Sequence, residues 1–241
     1  MSGHSHWASI KHKKGAADAK RSKVFSKLSK EITVAVKDGG GDPFFNAKLR
    51  MILDRAKALN MPSENIERSI KKGTGEIEGA ALEPIIYEAY GPGGVAIIIE
   101  GITDNKNRSL GEIKKILANY NGKMVSEGAI RWMFDRRGII EIDSQKANKN
   151  REELETIAIE SGAEDFFWRA DVLGIYTKAE DLEKVKNNLS EKGLKATSAS
   201  LGWLAKENLQ ISEKEQEACQ GLFEALDEND AVQEIYSNIK Q

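Results

Sequence analysis

From Arg21 onward, apolar residues recur with helical spacing. Val24, Phe25, Leu28, Ile32 and Ala35 lie three and four positions apart, so they share one face of a helix. Lys23, Lys27 and Lys30 fall on or beside the opposite face. Gly39-Gly40-Gly41 ends this helix, because glycine enters the left-handed conformation that closes a helix C-terminus. Asp42-Pro43 predicts a restart: Asp accepts the free N–H groups of a first turn, and Pro suits the first helical position. Phe45, Leu49, Ile52, Ala56 and Leu59 then step by 4, 3, 4 and 3, a single buried stripe. Asn60-Met61-Pro62 interrupts it. A short third helix follows, with Ile66 and Ile70 inward and Gly73 closing it. Residues 21–72 therefore read as a small helical bundle, and 73–83 as a linker. Residues 1–20 show no apolar periodicity and are expected to be extended or mobile.

Beyond the linker, strand and helix patterns alternate. Stretches 85–90 and 95–100 flank Gly91-Pro92-Gly93-Gly94, which reads as a hairpin turn. Residues 105–120 are helical, with Leu110, Ile113, Ile116 and Leu117 inward, and 129–134 read as a strand. The block 138–205 then runs β-α-β-β-α-β, the ferredoxin-like order. Residues 213–226 form a helix and 231–236 a last strand. The expected fold is α+β with three domains: an N-terminal helical bundle plus two ferredoxin-like α/β domains, the third inserted in the second. Their boundaries are 1–75, 84–134 with 206–241, and 135–205.

Overall charge conceals a split. Residues 1–72 carry sixteen Lys/Arg against seven Asp/Glu, a balance of +9, while 73–241 carry 20 against 31, a balance of −11. The whole-chain value of −2 thus hides a polyanion-binding region. The single cysteine, Cys219, excludes an intramolecular disulfide and gives no sign of secretion. No run approaches the roughly 18–20 apolar residues of a membrane helix, and the first residues lack the apolar core of a signal peptide. The expectation is a cytoplasmic protein with no membrane partner, a monomer.

The strongest chemical candidate is 4–30, with eight Lys/Arg and three His against one acid, Asp18. Its candidate nucleic-acid-binding residues are His4, His6, Trp7, Lys11, His12, Lys13, Lys14, Lys20, Arg21, Lys23, Lys27 and Lys30. Lysines displace counterions from phosphates, and Trp7 offers a ring for stacking. The competing reading is a solvated tail. Lys48, Arg50, Arg55, Lys71 and Lys72 are possible extensions of the surface. A lysine-rich, arginine-poor segment suits backbone contacts better than base reading, where the arginine fork is favoured. The three His lack a Cys or carboxylate at any standard zinc spacing, so no metal site is expected. Thr103–Arg108 stands at a strand-to-helix junction. Capping explains Thr103 to Asn105; Asn105, Asn107 and Arg108 are kept as additional binding candidates. Gly91–Gly94 precedes a strand, whereas a phosphate loop precedes a helix. Trp132, Trp168 and Trp203 read as core. No catalytic residues or cofactor are predicted: all His lie in 1–12, and no GxSxG, HExxH or CxxC occurs.

Several of these segments match one family in order. SGHSHWASIKHKK, DAKRSKVFSKLSKEI, GGGDP, IIYEAYGPGG, TDNKNR, SGAED and AVQEIYSN together resemble the YebC/PmpR family, which includes the mitochondrial translational activator of cytochrome oxidase subunit one. The resemblance runs nearly end to end. His6 stands where the family usually has Lys, which weakens constitutive charge there, and Ala89 where it often has Gly. The resemblance implies a helical N-terminal domain, two α/β domains and a role in gene expression. Bacterial members are usually labelled probable transcriptional regulators that bind DNA; others look like ribosome-associated translation factors. The expected function is a non-enzymatic nucleic-acid-binding regulator acting on DNA or through ribosomal RNA. The alternative is a protein-interaction adaptor that uses the acidic α/β domains.

Overall fold

The computed structural model describes residues 4–6 and 18–240. They form a mixed α and β fold with two sheets. The chain divides into two compact units, His4–Phe134 with Ala205–Gln241, and Asp135–Leu204.

The first unit opens with β1 (His4–His6) and three helices, α1 (Asp18–Gly39), α2 (Ala47–Ala58) and α3 (Ser63–Thr74). The periodic residues do form the bundle core: Leu28, Ile32, Ala35 and Val36 of α1 bury against Leu49, Ile52, Leu53, Ala56 and Met61. The restart at Asp42 is corrected. The N-cap is Asn46, whose side chain accepts from Leu49 N at 3.0 Å and donates to the carbonyls of Ala35 and Gly40 at 2.8 and 2.9 Å. Asp42 instead folds a turn, accepting from Phe44 N at 2.8 Å. With α2 starting four residues late, Phe44 and Phe45 lie on the turn, 79% and 81% exposed, and Phe45 is no part of the stripe. Leu59 is likewise exposed, at the C-cap, and Val24 faces solvent. Gly73 does not end α3; the left-handed residue is Gly75, φ 84°. Gly73 sits where α1 and α3 cross: a Cβ there would lie 2.6 Å from Val36 Cβ and 2.7 Å from the Thr33 carbonyl. Only glycine permits that approach.

The sheet of this unit has the order β1-β9-β3-β2-β4. β2 (Glu83–Tyr90) and β3 (Ala96–Thr103) pair antiparallel, Tyr90 opposite Ala96, across the Gly91–Gly94 turn. α4 (Lys106–Asn119) leads to β4 (Lys123–Val125). After Ala205 the chain supplies α7 (Glu213–Glu228) and β9 (Val232–Lys240), and β9 lies against β3 with Ile98 opposite Tyr236. Ile97, Ile99, Ile113, Leu117, Leu222, Phe223 and Leu226 form its core. The strand expected at 129–134 is a turn instead, including a short 3-10 segment at Arg131–Met133. The buried carboxylate of Glu88 gathers it by accepting from the backbone N–H groups of Gly128, Ile130 and Arg131 at 2.8, 2.9 and 3.1 Å. Trp132 rides on that turn, 68% exposed, and is not core.

In the second unit, β5 (Phe134–Asp143), α5 (Arg151–Ser161), β6 (Asp165–Arg169), β7 (Val172–Lys178), α6 (Leu182–Glu191) and β8 (Ser198–Ala205) follow in order. The sheet runs β6-β7-β5-β8, with Ile140 opposite Ile175. Alternating inward residues such as Ile140, Ile142, Leu173 and Ile175 bury with Leu154, Ala158 and Leu189. Trp168 is partly covered, its Nε1 donating to Glu155 at 2.6 Å under the Arg151 guanidinium; Trp203 lies beneath Arg136.

Candidate nucleic-acid interface

The predicted basic residues are distributed unevenly. His4 and His6 belong to β1, an edge strand paired with β9, His6 opposite Tyr236. Trp7, Lys11, His12, Lys13 and Lys14 lie outside the described residues, and so does the expectation of an extended or mobile segment there. Lys20 is in the first turn of α1. Arg21 is exposed, its guanidinium 5.6 Å from the centre of the Phe25 ring.

Of the next three cations, two pair with acids and the third with a backbone carbonyl. Lys23 pairs with Glu228 at 2.9 Å. Lys27 pairs with Asp227 at 2.8 Å, with side chains only 15% and 13% exposed. Lys30 donates to the Asp230 carbonyl at 2.6 Å. Spacings of four and three on α1 place these lysines in a row. The end of α7 and the turn into β9 supply the acids. A cavity of about 340 Å³ lies between them, lined by Ser22, Lys23, Ser26, Lys27, Glu228 and Asp230. Burial pushes the Lys30 ammonium below the usual lysine range, while Asp230 and Asp104 pull it up.

Asp104 and Arg108 are near enough to act on Lys30, so the structure brings the second candidate segment to α1. Its internal geometry is that of a cap. The Asn105 side chain accepts from Arg108 N at 3.0 Å, and Thr103 Oγ1 accepts from Asn105 N at 3.0 Å and meets Ser109 Oγ at 2.7 Å. Arg108 pairs with Asp104, and Asn107 is exposed.

The extensions also separate. Arg55 is spent on Glu31, whose carboxyl burial pushes above the ordinary range against the pull of Arg55. Arg50 donates to the Pro43 carbonyl at 2.9 Å and so holds the phenylalanine turn. Lys48 lies 3.5 Å from Asp38. Lys71 and Lys72 are exposed on α3, as is Arg68, which the sequence reading did not single out. None of these three has an acidic partner among the described residues. The signal for Arg68 was its spacing of four from Lys72.

Other chemistry is limited. Cys219 is buried against the Pro92 carbonyl, and burial, with Glu215 nearby, pushes its thiol up to about 11, away from the reactive thiolate. Among the described residues no group of three His, Cys, Asp or Glu could hold a metal ion, and no helix is long and apolar enough to cross a membrane.

Comparison with known proteins places the chain. Residues 5–76 match the model of the TACO1/YebC protein N-terminal domain, and 82–239 that of the TACO1/YebC second and third domain. A probable transcriptional regulatory protein of Thermoanaerobacter pseudethanolicus is 46% identical over 240 residues, covering 100% of this chain and 97% of its relative. One of Desulfosudis oleivorans is 47% identical over 238 residues, covering 99% and 96%. The crystal structure of a conserved hypothetical protein from Aquifex aeolicus superposes with a TM-score of 0.90 at 43% identity, covering 97% of this chain and 96% of that one. The chain belongs to the TACO1/YebC family.

Proposed function

We propose that the protein is a non-enzymatic, cytoplasmic regulator of gene expression that binds nucleic acid through its basic N-terminal region. The observation that carries this reading is the segregation of charge, +9 over residues 1–72 and −11 over the rest. The names of its relatives, probable transcriptional regulatory proteins, agree with it. Among the site residues, Trp7, Lys11, His12, Lys13 and Lys14 supply positive charge and one stacking ring, while Lys20 and Arg21 continue it onto α1. The contacts are to phosphate rather than to base edges, because lysine dominates the segment. DNA and ribosomal RNA share that chemistry. Three domains are part of the same reading: the bundle, the five-stranded sheet with its helices, and the β5–β8 unit. The strand order β6-β7-β5-β8 supports a ferredoxin-like reading of the last.

Sedimentation through a ribosome gradient at moderate salt, beside gel shifts with genomic fragments, tests the function. Co-sedimentation points to translation and specific shifts to transcription. Association with neither would overturn the reading. A protein-interaction adaptor is favoured by one observation, the exposed Trp132 on a turn held by Glu88. It predicts that a partner is still captured after residues 1–20 are deleted.

A further inference from the structure

A groove of about 510 Å³ lies between α1 and α3, sharing Ser22 and Ser26 with the acid-lined cavity and bordered by Ala80 and Leu82 of the following segment. The α1 wall presents Ser22, Ser26, Ser29 and Lys30, which fall on one helical stripe. The α3 wall presents Asn65, Arg68 and Lys72, also on one stripe. At the Gly73 crossing beside the groove, the one proton of Thr33 Oγ1 lies between the Ser29 carbonyl at 2.9 Å and the Ser69 carbonyl at 3.2 Å.

None of the described lining residues is acidic. Arg68 and Lys72 stand one turn apart on α3, like charges that repel each other and have no acidic partner among the described residues. Lys30 uses one of its three N–H groups on the Asp230 carbonyl and keeps the others. The short hydroxyls of α1 stand on the wall opposite Arg68 and Lys72. Such a set of donors, with no acceptor charge among them, recognises an anion. Because Arg68 and Lys72 follow one another a turn apart on α3 and Lys30 stands on α1, a strand of phosphates is a better match than a single small anion.

We propose that this groove binds the sugar–phosphate backbone of a single-stranded nucleic acid, with Arg68, Lys72 and Lys30 on the phosphates and the α1 serines as hydroxyl donors. The site rests on the nucleic-acid reading above and adds to the N-terminal segment a rigid contact built by two helices. It carries no base recognition, so its contribution is the same for every sequence.

The test is fluorescence anisotropy of the full-length protein with short fluorescein-labelled single-stranded RNA and DNA across a salt series. Arg68→Gln/Lys72→Gln should flatten the slope of log affinity against log salt by about 1.4, from roughly 0.7 per phosphate contact on single strands. R68E/K72E should weaken binding at least about tenfold, to a similar degree for unrelated sequences. Equal losses on RNA and DNA support phosphate contacts alone; a loss confined to RNA supports the groove with the 2′-hydroxyl as part of its ligand. If the charge-reversed variant melts abnormally, the glutamine pair decides. If the glutamine pair binds like wild type while Lys11→Ala/Lys13→Ala/Lys14→Ala loses binding, the groove proposal is overturned and the general reading stands. No binding of either strand by the wild-type protein overturns both.

Discussion

α1 lines two adjoining cavities, joined at Ser22 and Ser26, that look alike in sequence and differ in charge. In one, of about 340 Å³, Lys23 and Lys27 meet Glu228 and Asp230, with Asp227 paired to Lys27 beside it; the other, of about 510 Å³, is lined by Lys30, Arg68 and Lys72 and by no acidic residue among those described. The first set is already neutralised. It fastens the bundle to α7 of its own unit, and releasing it to a phosphate would mean breaking a mostly buried ion pair. In the second set Arg68 and Lys72 have no acidic partner among the described residues, while Lys30 is held from behind by the Asp230 carbonyl. Counting cations along a helix therefore overstates a polyanion site; what matters is which acids the fold brings to each flank. Here the acids come from some 200 positions away in the chain.

The comparison can be broken most severely at the α1–α3 crossing. Gly73→Val drives a side chain into Val36 and the Thr33 carbonyl, and overpacking of that kind should cost about 3 kcal/mol of stability, read by urea unfolding. A loss under about 1 kcal/mol would mean the crossing is not tight.

The neutralised flank should behave as structure. Asp227→Ala leaves the mostly buried Lys27 without its partner and should lower stability by about 2 kcal/mol, less than for a fully buried pair. Under a double-mutant cycle with Lys27→Ala, most of that loss should be shared.

Glu88 sharpens the same distinction between satisfied and unsatisfied charge. Burial alone would raise its carboxyl, yet the N–H groups of Ile130, Gly128 and Arg131, with the Arg131 guanidinium, outweigh burial and hold it below the ordinary 4.5. An acid depressed in the folded state contributes stability that is complete above its unfolded value and is lost as pH falls through the folded one. Stability should therefore decline below about pH 4.5. Glu88→Gln should flatten that decline and cost about 1 kcal/mol at neutral pH. An unchanged acid limb would contradict the clamp.

The smallest effect is expected at the phenylalanine turn. Phe45→Ala should shift stability by less than about 0.5 kcal/mol, because the ring is exposed and outside the stripe.

That last case shows where sequence patterning stops. Leu28, Ile32, Leu49, Ile52 and Ala56 were legible because helical periodicity alone places them inward. Phe45 fitted the same arithmetic and failed, since Asn46 found two carbonyls on α1 and took the cap from Asp42. Trp132 was assigned to a strand because local pattern cannot register Glu88, forty positions earlier, drawing three backbone N–H groups into a turn. The capping role of Thr103 and Asn105 was local and was legible. At the candidate interface, the sequence indicated the basic region. It could not sort Lys23 and Lys27 from Arg68 and Lys72, because that sorting depends on which elements meet.

The most direct test of this account is the salt dependence of nucleic-acid affinity for Lys23→Gln/Lys27→Gln in the full-length protein. If neutralised cations make no phosphate contacts, its slope should match wild type within about 0.3, well below the roughly 0.7 expected for even one lost contact on a single strand. A slope flattened by about 1.4 would show both lysines on phosphate and contradict the division of α1 into a structural and a binding flank.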